Sequence, residues 1–195
     1  ALLHAMGRII EGLGGRYITA DDVGTTLADL IIMREVTRHT AGATAAAQQA
    51  LPATAFGVFE ALRAAAAVCL GRSDLEGLRV AVQGLGNVGM PLCGYLSAAG
   101  AALVVSDLDG NRCAQAAATY GATLAAPEEI HAQHVDVFAP AALGAVLNDA
   151  TIPCLRCRVV CGGANNQLAE ARHDAALAVR GIVFVPDYLA NAGGV

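Results

Sequence analysis

The sequence contains no lysine and no tryptophan. All 12 basic residues are arginines, so any step that needs a lysine amine is supplied from outside these 195 residues or does not occur. Aromatic residues make up only 4% of a chain that is 55% hydrophobic. The surplus is alanine, as in Ala64-Ala65-Ala66-Ala67, which favours closely packed helices on a sheet. Positive charge is scarce as well: the net charge of −5 argues against a nucleic-acid partner, which needs a basic face. The least charged long window, 41–59, is interrupted by Thr44, Gln48, Gln49 and Pro52, so no membrane partner is expected from it. No charged-then-apolar leader pattern is present, and the expected location is cytoplasmic.

Cysteine is sparse for a disulfide framework. Cys154-x-x-Cys157 with Cys161 nearby invites a metal reading, but a zinc site needs a fourth ligand. No second C-x-x-C or paired histidine supplies it. Because this stretch runs into an apolar strand, buried free thiols are expected and no metal. His131 and His134 could share a helix face, but no carboxylate or cysteine beside them forms a recognisable ligand set, and they read as a solvated helix end.

The most informative stretch is Val80-Ala81-Val82-Gln83-Gly84-Leu85-Gly86-Asn87-Val88-Gly89. A short apolar run predicts a buried strand, which breaks into G-x-G-x-x-G and then a helical pattern to Ala99. In that context Gly84 allows a tight turn, Gly86 leaves room for a pyrophosphate, and Gly89 lets the helix pack against the strand. The helix N-terminus offers unpaired N–H groups and a positive dipole end. A second strand follows and ends on Asp107, near the spacing at which a carboxylate meets an adenosine ribose.

From Arg79 the pattern alternates. Strands are expected at 79–83, 103–107, 135–139, 158–161 and 182–185, and helices at 88–99, 109–120, 127–132, 151–155 and 168–179. Such alternation predicts an α/β fold, a doubly wound, mostly parallel Rossmann-type sheet with helices on both faces. Upstream, residues 1–13 read as helix and 37–51 as loop. Another helix starts near Thr26, with Asp21 and Asp22 as candidate caps, and Pro52 opens a long helix to about Leu70. The chain starts at Ala1, already in helical pattern, and reads as a piece of something longer.

Six stretches occur in a telling order: Gly-Arg-Tyr-Ile-Thr-Ala-Asp-Asp-Val-Gly-Thr at 15–25, Pro-Ala-Thr-Ala-Phe-Gly-Val at 52–58, Val-Gln-Gly-Leu-Gly-Asn-Val-Gly at 82–89, Phe-Ala-Pro-Ala-Ala-Leu-Gly at 138–144, Gly-Ala-Asn-Asn-Gln-Leu at 163–168, and Pro-Asp-Tyr at 186–188 with Asn-Ala-Gly-Gly at 191–194. With them the chain resembles the glutamate/leucine/phenylalanine/valine amino-acid dehydrogenases, most nearly the leucine branch. The resemblance implies NAD-dependent, reversible oxidative deamination of a branched-chain L-amino acid to its 2-oxo acid and ammonia. A phenylalanine or valine dehydrogenase, or a non-catalytic NAD-binding module, is the alternative.

The resemblance also implies roles. Asp22 is the catalytic acid/base at the substrate amine. Thr54 contacts the nicotinamide end, and Gly84, Leu85, Gly86, Asn87, Val88 and Gly89 form the phosphate loop. Asp107 is the ribose acid, whose charge favours NAD over NADP. Asn165 and Asn166 hold the nicotinamide, Asn165 also meets the substrate, and Asn191 lies nearby. Ala141 stands where relatives often carry cysteine. The family's two lysines are expected upstream of this chain, and its return helices downstream. Residues 1–51 are then the tail of a substrate and dimerisation domain, residues 52–195 an NAD-binding domain, and the full-length protein a homo-oligomer.

Overall fold

The structure, a computed structural model, describes residues 1–20, 25–41 and 50–194. Asp21 and Asp22 lie outside the described residues. The chain divides into two compact units, Ala1–Leu51 and Pro52–Val195.

In the first unit α1 (Leu2–Gly12) packs on α2 (Leu27–Arg34) through Ile10, Leu30 and Met33. A Cβ on Gly7 would lie 2.9 Å from the Met33 carbonyl oxygen, so glycine is what lets the helices approach. The cap of α2 is Thr26: its Oγ1 accepts the Asp29 N–H at 3.3 Å while Asp29 Oδ2 accepts the Thr26 N–H at 2.8 Å. These bonds from Thr26 hold the Asp29 carboxyl below its ordinary value.

The second unit is built on a six-stranded sheet of order β3-β2-β1-β4-β5-β6. The strands are β1 (Arg79–Gln83), β2 (Ala102–Ser106), β3 (Thr123–Leu124), β4 (Val137–Pro140), β5 (Val159–Val160) and β6 (Val183–Phe184). Every pairing is parallel, with Val80 opposite Leu103 on one side and Val137 on the other. The helices are α3 (Ala50–Leu70), α4 (Gly89–Ala98), α5 (Gly110–Tyr120), α6 (Arg172–Val179) and α7 (Asp187–Ala190). Alternate strand residues feed opposite layers. Val80, Val82, Leu103, Val105, Val137 and Ala139 join a core with residues of α3, α4 and α5. Ala81, Val104, Phe138 and Val160 join a second core with Leu177 of α6 and the irregular segments. The sheet is thus covered on both faces, and the strand order reverses between β1 and β4.

Over Ala53–Leu70, α3 is long and apolar enough to cross a membrane, a window the composition reading passed over. Its Ala55, Val58, Leu62 and Ala66 recur at helical spacing and are buried in the first core of the sheet unit.

Several element boundaries differ from expectation. The helices expected at 127–132 and 151–155 are single 3-10 turns, Ile130–Ala132 and Ile152–Cys154. The helix expected from 168 starts at Arg172, because Leu168 is extended against Leu147 and the Glu170 N–H is taken by His173 Nδ1 at 3.0 Å. Strand β3 and helix α7 carry too few residues to show a period in sequence.

Candidate functional site: a glycine turn at the sheet's carboxyl edge

In an open parallel sheet, ligands sit beyond the carboxyl ends of the strands where the order reverses. Here that point is the end of β1, and the chain leaves it through the glycine turn. Gly84 adopts φ +95° and donates its N–H to the Ser106 carbonyl at 2.7 Å. A Cβ on Gly84 would lie 2.7 Å from that of Ala142, and one on Gly89 would lie 1.8 Å from the Gly84 oxygen. Gly86 is different. Among the described residues, its chain neighbours aside, a Cβ there would meet only Arg112 Nη1, at 3.9 Å, so the floor of the turn is open. Among the described residues the N–H groups of Gly86, Asn87 and Val88 have no hydrogen-bond partner. Together with the N-terminus of α4 they form a cradle of donors suited to an anion such as a phosphate group.

Asp107 leaves the end of β2 and turns toward this cradle. Its Oδ2 accepts the Leu85 N–H at 2.6 Å and its Oδ1 the Asp109 N–H at 2.8 Å. A carboxylate offers about four lone-pair directions, so each oxygen retains acceptor capacity. Beside it a cleft of about 470 Å³ runs between the ends of β1 and β2 and the loop after β4. Pro127, His131, Leu143 and Asn148 line it with Asp107. The buried Ser106 hydroxyl, at the end of β2 on this wall, has no hydrogen-bond partner among the described residues. His131, read from sequence as a solvated helix end, therefore faces the cleft: the 3-10 turn at Ile130 directs it there, and no sequence period announces such a turn.

The other walls are interlocked loops. Gly144 comes so close to the carbonyls of Asn165 and Asn166 that a Cβ would lie 2.6 Å from the first. Ala145 and Asn166 face each other in left-handed backbone, φ 58° and 51°, with the Ala145 N–H on the Asn166 oxygen at 2.7 Å. Asn166 donates its own N–H to Asp187 Oδ2 at 2.5 Å. Asn191 Nδ2 donates to Asn165 Oδ1 at 2.7 Å. Gln167, absent from the expected site, is buried and donates to the carbonyls of Gly162 and Ala164 at 2.8 and 3.0 Å, which fixes this loop. Gly163 reaches the turn itself: a Cβ there would be 2.7 Å from Val88 Cγ1. Thr54 is half-buried on α3, between Ala53 and Gly57, and both of those residues abut Gly193. Of the expected site residues, the turn, Asp107, Asn165, Asn166 and Asn191 thus occupy one edge of one sheet.

At this edge the Cys113 thiol donates to the Asp107 carbonyl at 3.6 Å. Burial pushes the Cys93 and Cys161 thiols up to about 12 and that of Cys157 to about 11. One group of metal-ligating side chains does converge among the described residues, Asp149, Glu170 and His173. Arg172 fills its centre, donating to Asp149 at 2.5 and 2.8 Å and to Glu170 at 2.8 Å. Because His173 Nδ1 accepts the Glu170 N–H, its proton sits on Nε2 and points at Asp149, 3.2 Å away. Neither ring nitrogen has a lone pair to give a metal.

Comparison with known proteins follows the same outline. The family model for Glutamate/Leucine/Phenylalanine/Valine dehydrogenase matches residues 47–117 and 111–195. A leucine dehydrogenase of Thermoactinomyces intermedius is 48% identical over 198 residues, spanning 100% of this chain and 54% of that protein. The crystal structure of L-tryptophan dehydrogenase from Nostoc punctiforme superposes with a TM-score of 0.78 at 41% identity, covering 99% of this chain and 56% of that one. A hetero-hexameric glutamate dehydrogenase from Thermus thermophilus, in a Leu-bound form, gives 0.73 at 25% identity, over 99% of this chain and 53% of that one. The chain therefore spans little more than half of the proteins it matches. With the matched stretches running through the glycine turn, Asp107 and both asparagines, the chain belongs to the glutamate/leucine/phenylalanine/valine dehydrogenase family.

Proposed function

We propose that this chain provides the dinucleotide site, and part of the amino-acid site, of an NAD-dependent dehydrogenase that reversibly deaminates a leucine-type branched-chain L-amino acid. The observation that carries the proposal is the Asp107 carboxylate held against the glycine turn, beside an open floor at Gly86 and three unspent N–H groups. Family membership implies a nicotinamide cofactor, and the 48% identity to a leucine dehydrogenase favours leucine among its substrates. Residues 1–51 are assigned to the end of a substrate domain and 52–195 to the nucleotide domain. The whole protein is assigned as a homo-oligomer.

The residues present fit the cofactor, which when bound supplies the hydride acceptor. The N–H groups of Gly86, Asn87 and Val88 hold its phosphates, and the remaining acceptor capacity of Asp107 takes the ribose hydroxyls. A 2′-phosphate would set like charge against Asp107, so NAD is the preferred form. Asn165 Oδ1 is occupied by Asn191, which leaves the Asn165 amide N–H groups as donors toward a carbonyl or carboxylate. Thr54 and Asn166 are assigned to the nicotinamide end. Asp22 is assigned to move protons at the substrate amine. The cation that stabilises developing negative charge is assigned, by the family resemblance, to a lysine, a residue type these 195 residues do not contain.

The chain by itself is expected to bind NADH and not to oxidise leucine. Nicotinamide fluorescence titration alongside a leucine-oxidation assay tests both halves. Absence of NADH binding sinks the site, and turnover by the isolated chain sinks the need for an external cation.

A further inference from the structure

Arg112, in the first turn of α5, has no part in the assignments above. Its Nη1 lies 3.9 Å from Asp107 Oδ2 and its Nε 3.6 Å from Asp109 Oδ2. Both are ion-pair distances, too long for hydrogen bonds. Among the described residues its guanidinium makes no hydrogen bond, and its side chain is 50% exposed. Among the described residues, chain neighbours aside, the same Nη1 is the one atom within 4 Å of a Cβ placed on Gly86. A cation with unspent donors therefore overhangs the open floor of the turn, at the corner where Asp107 meets the ribose. Two carboxylates keep it there without consuming its hydrogen-bonding capacity.

An arginine matches a phosphate dianion bidentately and gives far less to a neutral hydroxyl. Resting on the dinucleotide reading, we infer that Arg112 is a specificity-determining residue of this site. It faces the 2′ edge of the adenosine ribose and offsets the repulsion between Asp107 and a 2′-phosphate. NADPH is consequently rejected less strongly than Asp107 alone would dictate. Asp107 sets the direction of the preference and Arg112 its size.

The test is equilibrium titration of NADH and NADPH against the 195-residue chain, read by nicotinamide fluorescence. The parent and the variants Arg112→Ala, Arg112→Gln, Asp107→Ser and Asp107→Ser/Arg112→Ala are compared. Arg112→Ala and Arg112→Gln are expected to weaken NADPH about 10- to 100-fold, the worth of a charge-assisted contact, and NADH by less than about threefold. Asp107→Ser is expected to strengthen NADPH by about tenfold or more, a gain that the double variant loses. An equal loss for both dinucleotides, or no change in either, overturns the role of Arg112 while leaving the site intact. A parent that binds neither dinucleotide overturns the site reading and this inference with it.

Discussion

Replacing Gly89 with alanine puts a methyl group where the geometry has no room. Its Cβ would lie 1.8 Å from the Gly84 oxygen and 2.9 Å from the Gly84 carbonyl carbon. Ordinary contact is about 3.5 Å, so roughly 1.5 Å of separation has to be found. The carbonyl has little freedom to retreat. Gly84 is tied to Ser106 at 2.7 Å and crowded by Ala142 on its other side. Helix α4 must therefore back away by about the rise of one residue, carrying the N–H groups of Gly86 to Val88 with it. Overpacking of this size costs about 3 kcal/mol, or about 6–12 °C in Tm for a domain of this length. A cradle displaced that far is expected to lose about a hundredfold in NADH affinity. Calorimetry and NADH titration read the two effects. Gly121→Ala is the control: Gly121 sits at φ +65° with nothing among the described residues, its chain neighbours aside, within 4 Å of its Cβ position. It costs about 1–2 kcal/mol from left-handed backbone alone and leaves NADH binding unchanged. If Gly89→Ala binds NADH as the parent does, or Gly121→Ala weakens it as much, the close-approach argument is wrong.

Ala145→Gly is expected to raise stability by about 0.5–1 kcal/mol, since it relieves a left-handed alanine at φ 58°; a lower Tm would contradict this. The Asp149 carboxyl is held below its ordinary value by hydrogen bonds from Arg172 and then His173. Its contribution is present above the unfolded value of 3.8 and is lost as pH falls through the depressed folded value. Asp149→Asn should therefore flatten the acid limb of a stability–pH curve, modestly and less so in high salt, because Asp149 and Arg172 are both more than half exposed. Parallel acid limbs for parent and variant would refute the coupling. With a thiol reagent near neutral pH, exposed Cys154 should react first, while Cys93 and Cys161 wait for denaturant. Thr26→Ala removes the hydroxyl that accepts the Asp29 N–H and donates to Asp29 Oδ2, keeps the backbone half of the cap on α2, and should cost about 1 kcal/mol of helix stability, visible as a lower thermal midpoint.

The segment from Val80 to Asp107 is legible because each residue type there answers one local demand. The apolar run fits a strand covered on both faces, Gly84 and Gly89 fit positions a Cβ cannot occupy, and Asp107 fits a strand end beside free N–H groups. Asn165 and Asn166 were legible only through the family's ordered motifs, since a loop has no period. What sequence missed has no local signature. His131 reaches the cleft through a 3-10 turn, and Gln167 works by bonding two carbonyls that only the fold brings near. The late start of α6 reflects one side-chain capture, His173 on the Glu170 N–H, which propensity along the chain does not encode. Arg112 looks like any surface arginine until Gly86 is placed beneath it.

The sheet is held unevenly. Registers of five and four residues join β1 to β2 and to β4, whereas the edge strands β3 and β6 are each attached through two and β5 is joined to β4 and to β6 through two each. Local opening begins where few bonds must break, so amide exchange should proceed from the rim inward and reach β1 last. The anion cradle is bolted to the most extensively paired strand, while the asparagine wall hangs from β5, one strand in from the rim and joined to each neighbour by only two residues. A ligand lying across this edge would rest at one end on a long ladder and at the other on a short one, so its two halves would be anchored unequally.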